Sequence, residues 1–232
     1  MNKKKKINYD GWELKFFDRS KNFRNYQLKL IKKYIKGYVA EVGPGNGMNA
    51  NSYIKYPKKI DLYEPTKKLY LELKKKFKKN NKVSNYNKKF LLQKEKYDSI
   101  LYLDVLEHIK NDKEEILKAF KSIKKNGYLI INVPAFYHLY SKFDKDVGHH
   151  KRYEKEDIRA ILKNLKYRDL DLKYYDTIGY VLSLLSKLTS SNYKKKFEQK
   201  IRLWDSLIPF SKIIDFLSFN LFGKSLLVII KK

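Results

Sequence analysis

A short apolar run that leads into three closely spaced glycines constrains the fold of this chain more than any other feature. The run is Tyr38–Val42, and the glycines are Gly43, Gly45 and Gly47. Glycine accepts the left-handed backbone of a tight turn and lets a ligand lie against bare backbone at the start of the next helix. The spacing is G-x-G-x-G, which differs from the G-x-G-x-x-G of dinucleotide-binding proteins. The segment therefore predicts a strand, a turn and a helix that can hold a nucleotide.

The remainder of the chain alternates β-rich runs with helical patterns, as parallel βαβ units do. Helices are predicted at 66–79, 112–124 and 155–165, and the further strands at 59–63, 83–86, 97–103, 128–133, 170–175 and 225–231. We expect a doubly wound, mostly parallel, seven-stranded Rossmann-like α/β sheet. Residues 1–36 are predicted to form a basic tail and a leader helix, and residues 37–232 the main domain.

A long connection separates the last two predicted strands. Residues 177–224 exceed what an ordinary connection needs, and they contain apolar stretches at 179–185 and 203–222. We expect a helical insertion here. A helical pair packed on the sheet, a lid over a substrate and an element at a membrane surface are alternatives that the pattern leaves open.

Two acidic residues accompany the glycine turn. Glu41 lies two positions before Gly43, and Glu64 ends the second predicted strand about 20 positions later. A carboxylate at the end of that strand can accept hydrogen bonds from both hydroxyl groups of a bound ribose. The alternative is that both are strand-end charges on an unrelated Rossmann-like domain.

Together with Tyr97-Asp98-Ser99-Ile100-Leu101-Tyr102-Leu103-Asp104-Val105-Leu106-Glu107-His108, these motifs resemble the class I S-adenosylmethionine-dependent methyltransferases. The resemblance spans nearly the whole chain. The segments 11–26, 148–153 and 222–227 are similar to a bacterial subgroup whose members accompany glycan, lipid or secondary-metabolite pathways.

The resemblance implies S-adenosylmethionine as cofactor, with S-adenosylhomocysteine as product. Glu41 would orient the methionine amino group or the glycine turn, Glu64 would hold the ribose, and Asp104 would lie beside the methionine moiety and the acceptor. The implied cofactor-binding residues are Glu41, Gly43, Gly45, Gly47, Glu64 and Asp104. One departure concerns the adenine: the family often has an acidic residue after the third strand, whereas residues 85–90 hold none. Asn87 would offer an amide instead.

Methyl transfer from a sulfonium mainly requires that the acceptor be positioned and water excluded. A base is needed only for a protonated nucleophile such as a hydroxyl. The loops after the fourth and fifth strands hold all four histidines, and histidine titrates near neutrality. We predict His149 or His150 as the base, with Arg152 and Asp146 positioning the acceptor or the histidine, and Asp104 beside them. In the alternative, these residues only connect the loop to the next helix.

A metal site is a further alternative. The spacing Asp104-x-x-Glu107-His108 resembles the Glu-x-x-Glu-His metal site of ubiquinone-pathway O-methyltransferases and small-RNA 3′-end methyltransferases, and His149 would complete an N/O site. Leu-Glu-His also occurs in related enzymes without metal. We therefore assign no metal, with a divalent ion at Asp104, Glu107, His108 and His149 as the alternative.

Aromatic residues are dense near the predicted site. They would either pack the leader helix on the sheet, which we favour, or cover the sulfonium by cation–π contact. They are Trp12, Phe16, Phe17, Phe136, Tyr137, Tyr140 and Phe143.

Composition limits the remaining function classes. The chain has no cysteine, which excludes a disulfide framework and a thiol nucleophile, and it has no apolar run long enough to span a membrane. The net charge of +28 is spread along the chain, so it indicates either a solvated lysine-rich surface or a polyanion partner. We expect a cytoplasmic methyltransferase, with peripheral membrane contact left open, that acts on a small-molecule, sugar or lipid-linked acceptor. The alternatives are an RNA methyltransferase with or without metal and a non-catalytic S-adenosylmethionine-binding protein.

Overall fold

The computed structural model describes residues 11–188 and 196–232, and in these residues seven strands form one sheet. The strands are β1 (Tyr38–Val42), β2 (Lys59–Tyr63), β3 (Val83–Tyr86), β4 (Tyr97–Leu103), β5 (Ile123–Pro134), β6 (Asp169–Tyr175) and β7 (Ser225–Lys231). Their order in the sheet is β3-β2-β1-β4-β5-β7-β6. Only β7 runs antiparallel to its neighbours, β5 and β6. The predicted doubly wound, mostly parallel sheet is confirmed.

Helices connect the strands and cover both faces. They are α1 (Leu14–Phe17), α2 (Lys21–Ile31), α3 (Met48–Tyr53), α4 (Lys67–Lys76), α5 (Asp112–Ser122), α6 (Lys142–Asp146), α7 (Lys155–Leu162), α8 (Thr177–Leu188) and α9 (Phe197–Leu217). The predicted leader helix is α2, preceded by the short α1, and the predicted helical insertion contains α8 and α9. Residues 1–10 of the predicted basic tail and residues 189–195 of the insertion lie outside the described residues.

Two apolar layers hold the helices on the sheet. Residues of β7 alternate between them: Val228 packs in the layer with α5 and α7, whereas Leu227 and Ile229 pack in the layer with α2, α3 and α9. Strands with helices on both faces are apolar at almost every position, which explains why β7 reads as a continuous hydrophobic run.

The structure changes several predicted boundaries. The helices predicted over 66–79 and 155–165 end at Lys76 and Leu162, and the strand predicted over 128–133 begins already at Ile123. The helix predicted over 112–124 ends at Ser122, and Ile123 begins β5 by pairing with Tyr97. Ile123 is completely buried in the core, so tertiary packing takes it from the helix into the strand. Asn126, at a φ of 63°, then forms the irregular start of the strand rather than the end of the helix.

A buried polar network ties the insertion to the end of β6. The Asp215 carboxylate on α9 accepts hydrogen bonds from the backbone N–H groups of Asp176 (2.7 Å) and Thr177 (2.8 Å) and from the hydroxyl of Tyr26 on α2 (2.8 Å). Asp176 in turn accepts a hydrogen bond from the Trp204 indole at 2.8 Å. Each buried acceptor is satisfied from another element, so the network sets the position of α8, α9 and α2 together. No helix in the described ranges is long and apolar enough to cross a bilayer.

Candidate functional site

A cavity of about 860 Å³ lies where the segments after β1, β2 and β4 meet. The leader segment and the helical insertion supply the rest of its lining. Ligands of open α/β sheets bind beyond the carboxyl ends of the strands, and this volume is typical of small-molecule sites. The fold therefore places the predicted motifs around one cavity.

The glycine turn forms one side of this cavity and accepts no larger residue. Gly43, Gly45 and Gly47 have φ values of 67°, 58° and 76°, in the left-handed region that disfavours side chains. A Cβ on Gly43 would come within 2.8 Å of the Val105 side chain, and one on Gly47 within 2.5 Å of Leu73. The turn thus depends on glycine for both its conformation and its packing.

Glu64 connects the turn to the segment after β2. Its Oε2 accepts a hydrogen bond from the Gly45 N–H at 3.1 Å, and its Oε1 accepts one from the Thr66 N–H at 2.8 Å. The carboxylate lines the cavity, although only 4% of the residue is exposed. Burial raises the pKa of Glu64, and the two backbone donors oppose that rise. The site therefore holds an oriented acceptor pair close to the glycine turn.

Glu41 has a different environment from Glu64. It is 1% exposed, does not line the cavity, and accepts a hydrogen bond of 2.5 Å from the hydroxyl of Tyr53 on α3. Burial raises the pKa of Glu41 from 4.5 to about 7. Of the two roles expected for Glu41, this geometry favours orientation of the turn, because the carboxylate holds the helix that follows it.

Asn87 is engaged by the chain itself. Its amide nitrogen donates to the carbonyl oxygens of Glu64 (3.0 Å) and Pro65 (3.3 Å). The amide that was expected to face the adenine is therefore used to hold the segment after β2. Lys89 and Phe90 are the residues after β3 that line the cavity.

The Asp104 carboxylate is the last acceptor in a series of hydrogen bonds that links the ends of neighbouring strands to α2. It lies just past β4 at a φ of 58°, and its Oδ1 accepts a hydrogen bond from the Asn132 amide at 2.8 Å. The Asn132 carbonyl oxygen accepts one from the Tyr175 hydroxyl (2.9 Å), which itself accepts one from the Gln27 amide (3.1 Å). Desolvation by the surrounding chain raises the pKa of Asp104, although the residue is exposed towards the cavity that it lines. Asn132 was not among the predicted site residues, although a lone amide in the apolar run of β5 is a usable signal.

The loop after β5 brings His149 to the cavity. Its Nδ1 lies 2.8 Å from an oxygen of the buried Asp144, so the carboxylate that holds this ring is Asp144, not the predicted Asp146. Arg152 donates to both oxygens of Asp144 (3.0 and 3.1 Å) and to the Ala135 carbonyl oxygen (3.2 Å). These contacts hold the pKa of Asp144 well below its usual range. Arg152, predicted as a catalytic residue, thus acts on Asp144.

His150, the other predicted base, is held through its main chain. Its N–H donates to the Glu107 carbonyl oxygen at 2.7 Å, and its exposed side chain is part of the cavity lining. Its ring therefore lacks the buried carboxylate that orients His149.

Three of the four residues of the alternative metal site come together. Ligand atoms of Glu107, His108 and His149 all lie within 4.8 Å of one another. Asp104 is not part of this group, and one oxygen of its carboxylate accepts the hydrogen bond from the Asn132 amide. Both Glu107 oxygens are buried without a hydrogen-bond partner among the described residues, and burial raises the Glu107 pKa well above its usual value. Burial also lowers the pKa of His108 to about 4.

Aromatic rings join the leader segment to the insertion and form a wall of the cavity. Phe17, Phe143 and Trp204 line it, and Phe17 contacts both others edge-on at centroid distances of 6.4 and 6.0 Å. Phe136 instead stacks on Tyr174 at 4.4 Å, which is ordinary packing. Of the predicted aromatic set, Phe17 and Phe143 therefore line the cavity, whereas Trp12 and Phe16 pack on Phe197 beside it.

A cation that the sequence analysis missed also lines this wall. The Lys224 ammonium lies 4.2 Å from the centre of the Trp204 ring. Burial lowers the pKa of Lys224, and the nearby Asp176 and Asp104 oppose that change. Lys224 directly precedes β7 and reads in the sequence as one lysine among many, so no sequence signal distinguishes it.

Comparison with protein families finds one matching model, a methyltransferase domain, over residues 18–172. This match covers about two thirds of the chain and includes the glycine turn, Glu64, Asp104 and His149. Comparison with curated proteins finds no significant match.

Solved structures share the fold at low sequence identity. Phosphoethanolamine N-methyltransferase 2 of Haemonchus contortus, in complex with S-adenosyl-L-methionine, matches 95% of this chain with a TM-score of 0.66 and 12% identity. The chain covers 57% of that protein. A SAM-dependent methyltransferase of Archaeoglobus fulgidus matches 95% of this chain and 97% of its own length, with a TM-score of 0.62 and 19% identity. A putative sarcosine dimethylglycine methyltransferase of Galdieria sulphuraria matches with a TM-score of 0.57 and 12% identity, over 92% of this chain and 85% of that one.

Proposed function

The chain belongs to the class I S-adenosylmethionine-dependent methyltransferases, and from this membership we propose that it methylates a small-molecule, sugar or lipid-linked acceptor. The observation that carries the proposal is the Glu64 carboxylate, which is hydrogen-bonded to the glycine turn at the edge of a single cavity shared with His149. One side of this cavity fits a nucleoside, and the other holds an oriented base.

The cofactor side is proposed to consist of the glycine turn, Glu64 and Asp104. A bare backbone at Gly43 and Gly45 leaves room for the cofactor, and the Glu64 oxygens are oriented to accept ribose hydroxyl protons. Asp104 would accept a hydrogen bond from the methionine amino group. Bound S-adenosylmethionine supplies an electrophilic methyl group on a sulfonium. Small-molecule methyltransferases among the structural neighbours support this class of acceptor.

His149 is proposed to receive the acceptor proton when the nucleophile is a hydroxyl. A hydrogen bond from Nδ1–H to Asp144 leaves Nε2 as the acceptor nitrogen and stabilises the ring once it is charged. The positive charge of Arg152 balances the negative charge of Asp144, so the buried carboxylate stays ionised. In-line displacement depends more on positioning of the acceptor and exclusion of water than on acid–base catalysis. We assign the exclusion of water to the aromatic wall.

A second candidate is transfer to an RNA with the help of a divalent cation: the net charge of +28 suits a polyanion, and Glu107, His108 and His149 offer ligand atoms for the cation. The two buried Glu107 oxygens accept no hydrogen bond from the described part of the chain, and with the two imidazoles within 4.8 Å they form a chemically suitable N/O set. A cation would use the same His149 ring, so it and the base role exclude each other. Activity in EDTA that magnesium or manganese does not increase would eliminate this candidate.

The test is transfer of radiolabelled methyl from S-adenosylmethionine into an extract of the source cells, separated into RNA, protein, lipid and small-molecule fractions. We expect label in the lipid or small-molecule fraction. RNase-sensitive label would overturn the acceptor class in favour of RNA. Binding of S-adenosylmethionine by calorimetry without any transfer would show a non-catalytic binding protein.

A pair of variants controls this assay. Gly45→Asp places a side chain where φ is 58° and where Cβ would lie 3.2 Å from Leu14, so it should abolish cofactor binding. Asn51→Asp adds the same carboxylate to the exposed surface of α3 and should leave transfer unchanged. Label that persists in Gly45→Asp would come from a contaminating enzyme.

A further inference from the structure

The end of α9 and the turn after it present a row of large apolar side chains to solvent. Their exposed fractions run from 58% at Ile213 to 85% at Phe219. We call six of them, each more than half exposed, the apolar ridge: Phe210, Ile213, Phe216, Leu217, Phe219 and Leu221. Soluble monomers rarely expose large contiguous apolar patches, and such patches mark interaction sites.

The ridge is separate from the face by which α9 packs on the domain. Ile208, Ser211 and Asp215 are completely buried and follow one face of the helix. Phe210, Ile213 and Leu217 follow another at spacings of three and four residues. A helix that is apolar on its outer face as well as its inner one needs a second apolar environment.

Charge is scarce along this segment. Residues 206–222 contain two charged side chains, Lys212 and Asp215, whereas 34% of the whole chain is charged. Asp215 is buried in its hydrogen bonds to Asp176 and Thr177, so Lys212 is the accessible charge of the segment. Lysine is frequent along the rest of the chain, whereas phenylalanine, leucine and isoleucine dominate this segment.

We propose that the apolar ridge inserts into the interface of an anionic lipid bilayer. The protein carries a net charge of +28, which attracts it to a negative lipid surface and concentrates it there. Apolar side chains at the tip of a basic protein then add burial in the acyl region to that attraction. The same charge opposes the alternative occupant, a second copy of the chain, because two copies would have to bring their like charges together. No helix of the described residues spans a membrane, and the ridge would lie on one leaflet.

Docking of the ridge would bring the cavity close to the lipid surface. The helix that carries the ridge also lines the cavity through Trp204, and the chain returns to the cavity at Lys224, three residues after Leu221. Only this link to a lipid-linked acceptor rests on the proposed function. Membrane docking itself does not depend on methyl transfer.

The experiment is flotation of the full chain with vesicles of phosphatidylcholine alone and with 30% phosphatidylglycerol (about the anionic fraction needed for a strong surface potential). Wild-type protein should float with the anionic vesicles. Phe216→Ser/Phe219→Ser should weaken this binding at least about 100-fold, because each phenylalanine contributes about 10- to 100-fold on burial. Leu71→Ser/Leu92→Ser removes two exposed apolar residues outside the ridge, 53% and 51% exposed, and should bind as wild type does.

Three results would overturn the proposal. Equal flotation of wild type and Phe216→Ser/Phe219→Ser would show adsorption by charge alone. Absence of flotation with either vesicle would exclude lipid as the occupant. A dimer in light scattering that Phe216→Ser/Phe219→Ser dissociates would identify a second copy instead. Calorimetry with S-adenosylmethionine on each variant separates these outcomes from failure of the proposed function, since the ridge is not part of the cavity lining.

Discussion

Replacement of Glu64 by glutamine tests the cofactor side of the site most directly. In the structure the carboxylate accepts two backbone hydrogen bonds, from Gly45 at 3.1 Å and Thr66 at 2.8 Å. Glutamine keeps one acceptor oxygen and turns the other into a donor, which then faces a backbone N–H. The variant also removes the negative charge that is proposed to receive the ribose hydroxyl protons.

A hydrogen bond to a charged acceptor contributes about 1.5–3 kcal/mol, so loss of the charge should raise the Kd for S-adenosylmethionine by about 10- to 150-fold. Isothermal titration calorimetry measures this change directly. Burial raises the Glu64 pKa, so the wild-type affinity for S-adenosylmethionine should also fall as the pH drops through the raised pKa. The affinity of Glu64→Gln should not change over the same pH range. Glu156→Gln, whose side chain is 75% exposed on α7, makes the same chemical change on the surface and should bind as wild type does.

A Kd for Glu64→Gln within threefold of wild type, in a variant that melts like wild type, would refute the ribose assignment. The pH series provides an independent check. If both proteins lose affinity in parallel as pH falls, a group other than Glu64 controls cofactor binding.

Three further variants test the rest of the site. Asp144→Asn leaves the buried Arg152 without its ion partner and should lower the free energy of unfolding by about 3–5 kcal/mol, measured by urea denaturation at pH 7. The difference should begin to shrink only below about pH 4, because the Asp144 carboxyl then takes up a proton in the unfolded chain while the folded chain keeps it ionised to much lower pH. Glu41 binds its proton more tightly in the folded than in the unfolded chain, so the free energy of unfolding of the wild type should fall by roughly 3 kcal/mol as pH rises from 4.5 to about 7. Denaturation curves at pH 5 and pH 8 should show this fall for the wild type and not for Glu41→Gln. A parallel fall in both proteins would contradict the assignment. His149→Gln should lower kcat by about 10²- to 10⁴-fold on a hydroxyl acceptor, with the Kd for S-adenosylmethionine unchanged, and unchanged turnover would eliminate the base role.

The strands could be predicted because local pattern and tertiary environment agree there. The strands β1, β2, β3 and β4 begin and end at the predicted residues. A short apolar run between turn residues fits a buried strand of a doubly wound sheet and is too short for a buried helix. The boundary at Ser122 could not be predicted in this way. Both a helical stripe and a strand accommodate Ile123, and only its burial against the core decides between them.

Some residues of the site could likewise be predicted from the sequence, and others could not. Gly43, Gly45 and Gly47 were identifiable because a left-handed turn demands glycine in the sequence itself. The choice between Asp144 and Asp146 was not, because it depends on which side of the short helix α6 faces the domain.

Buried polar groups connect the leader helix, the insertion and the cavity lining. Tyr175 at the end of β6 donates to Asn132 and accepts from Gln27 of α2, so the orientation of Asp104 depends on an element outside the sheet. The insertion is held by Asp215, which also binds α2 through Tyr26. A shift of α2 would leave buried donors and acceptors without partners in both networks, at a cost of about 1–3 kcal/mol for each group. The position of α2 is therefore fixed by two buried networks at once, the one that orients Asp104 and the one that holds α9.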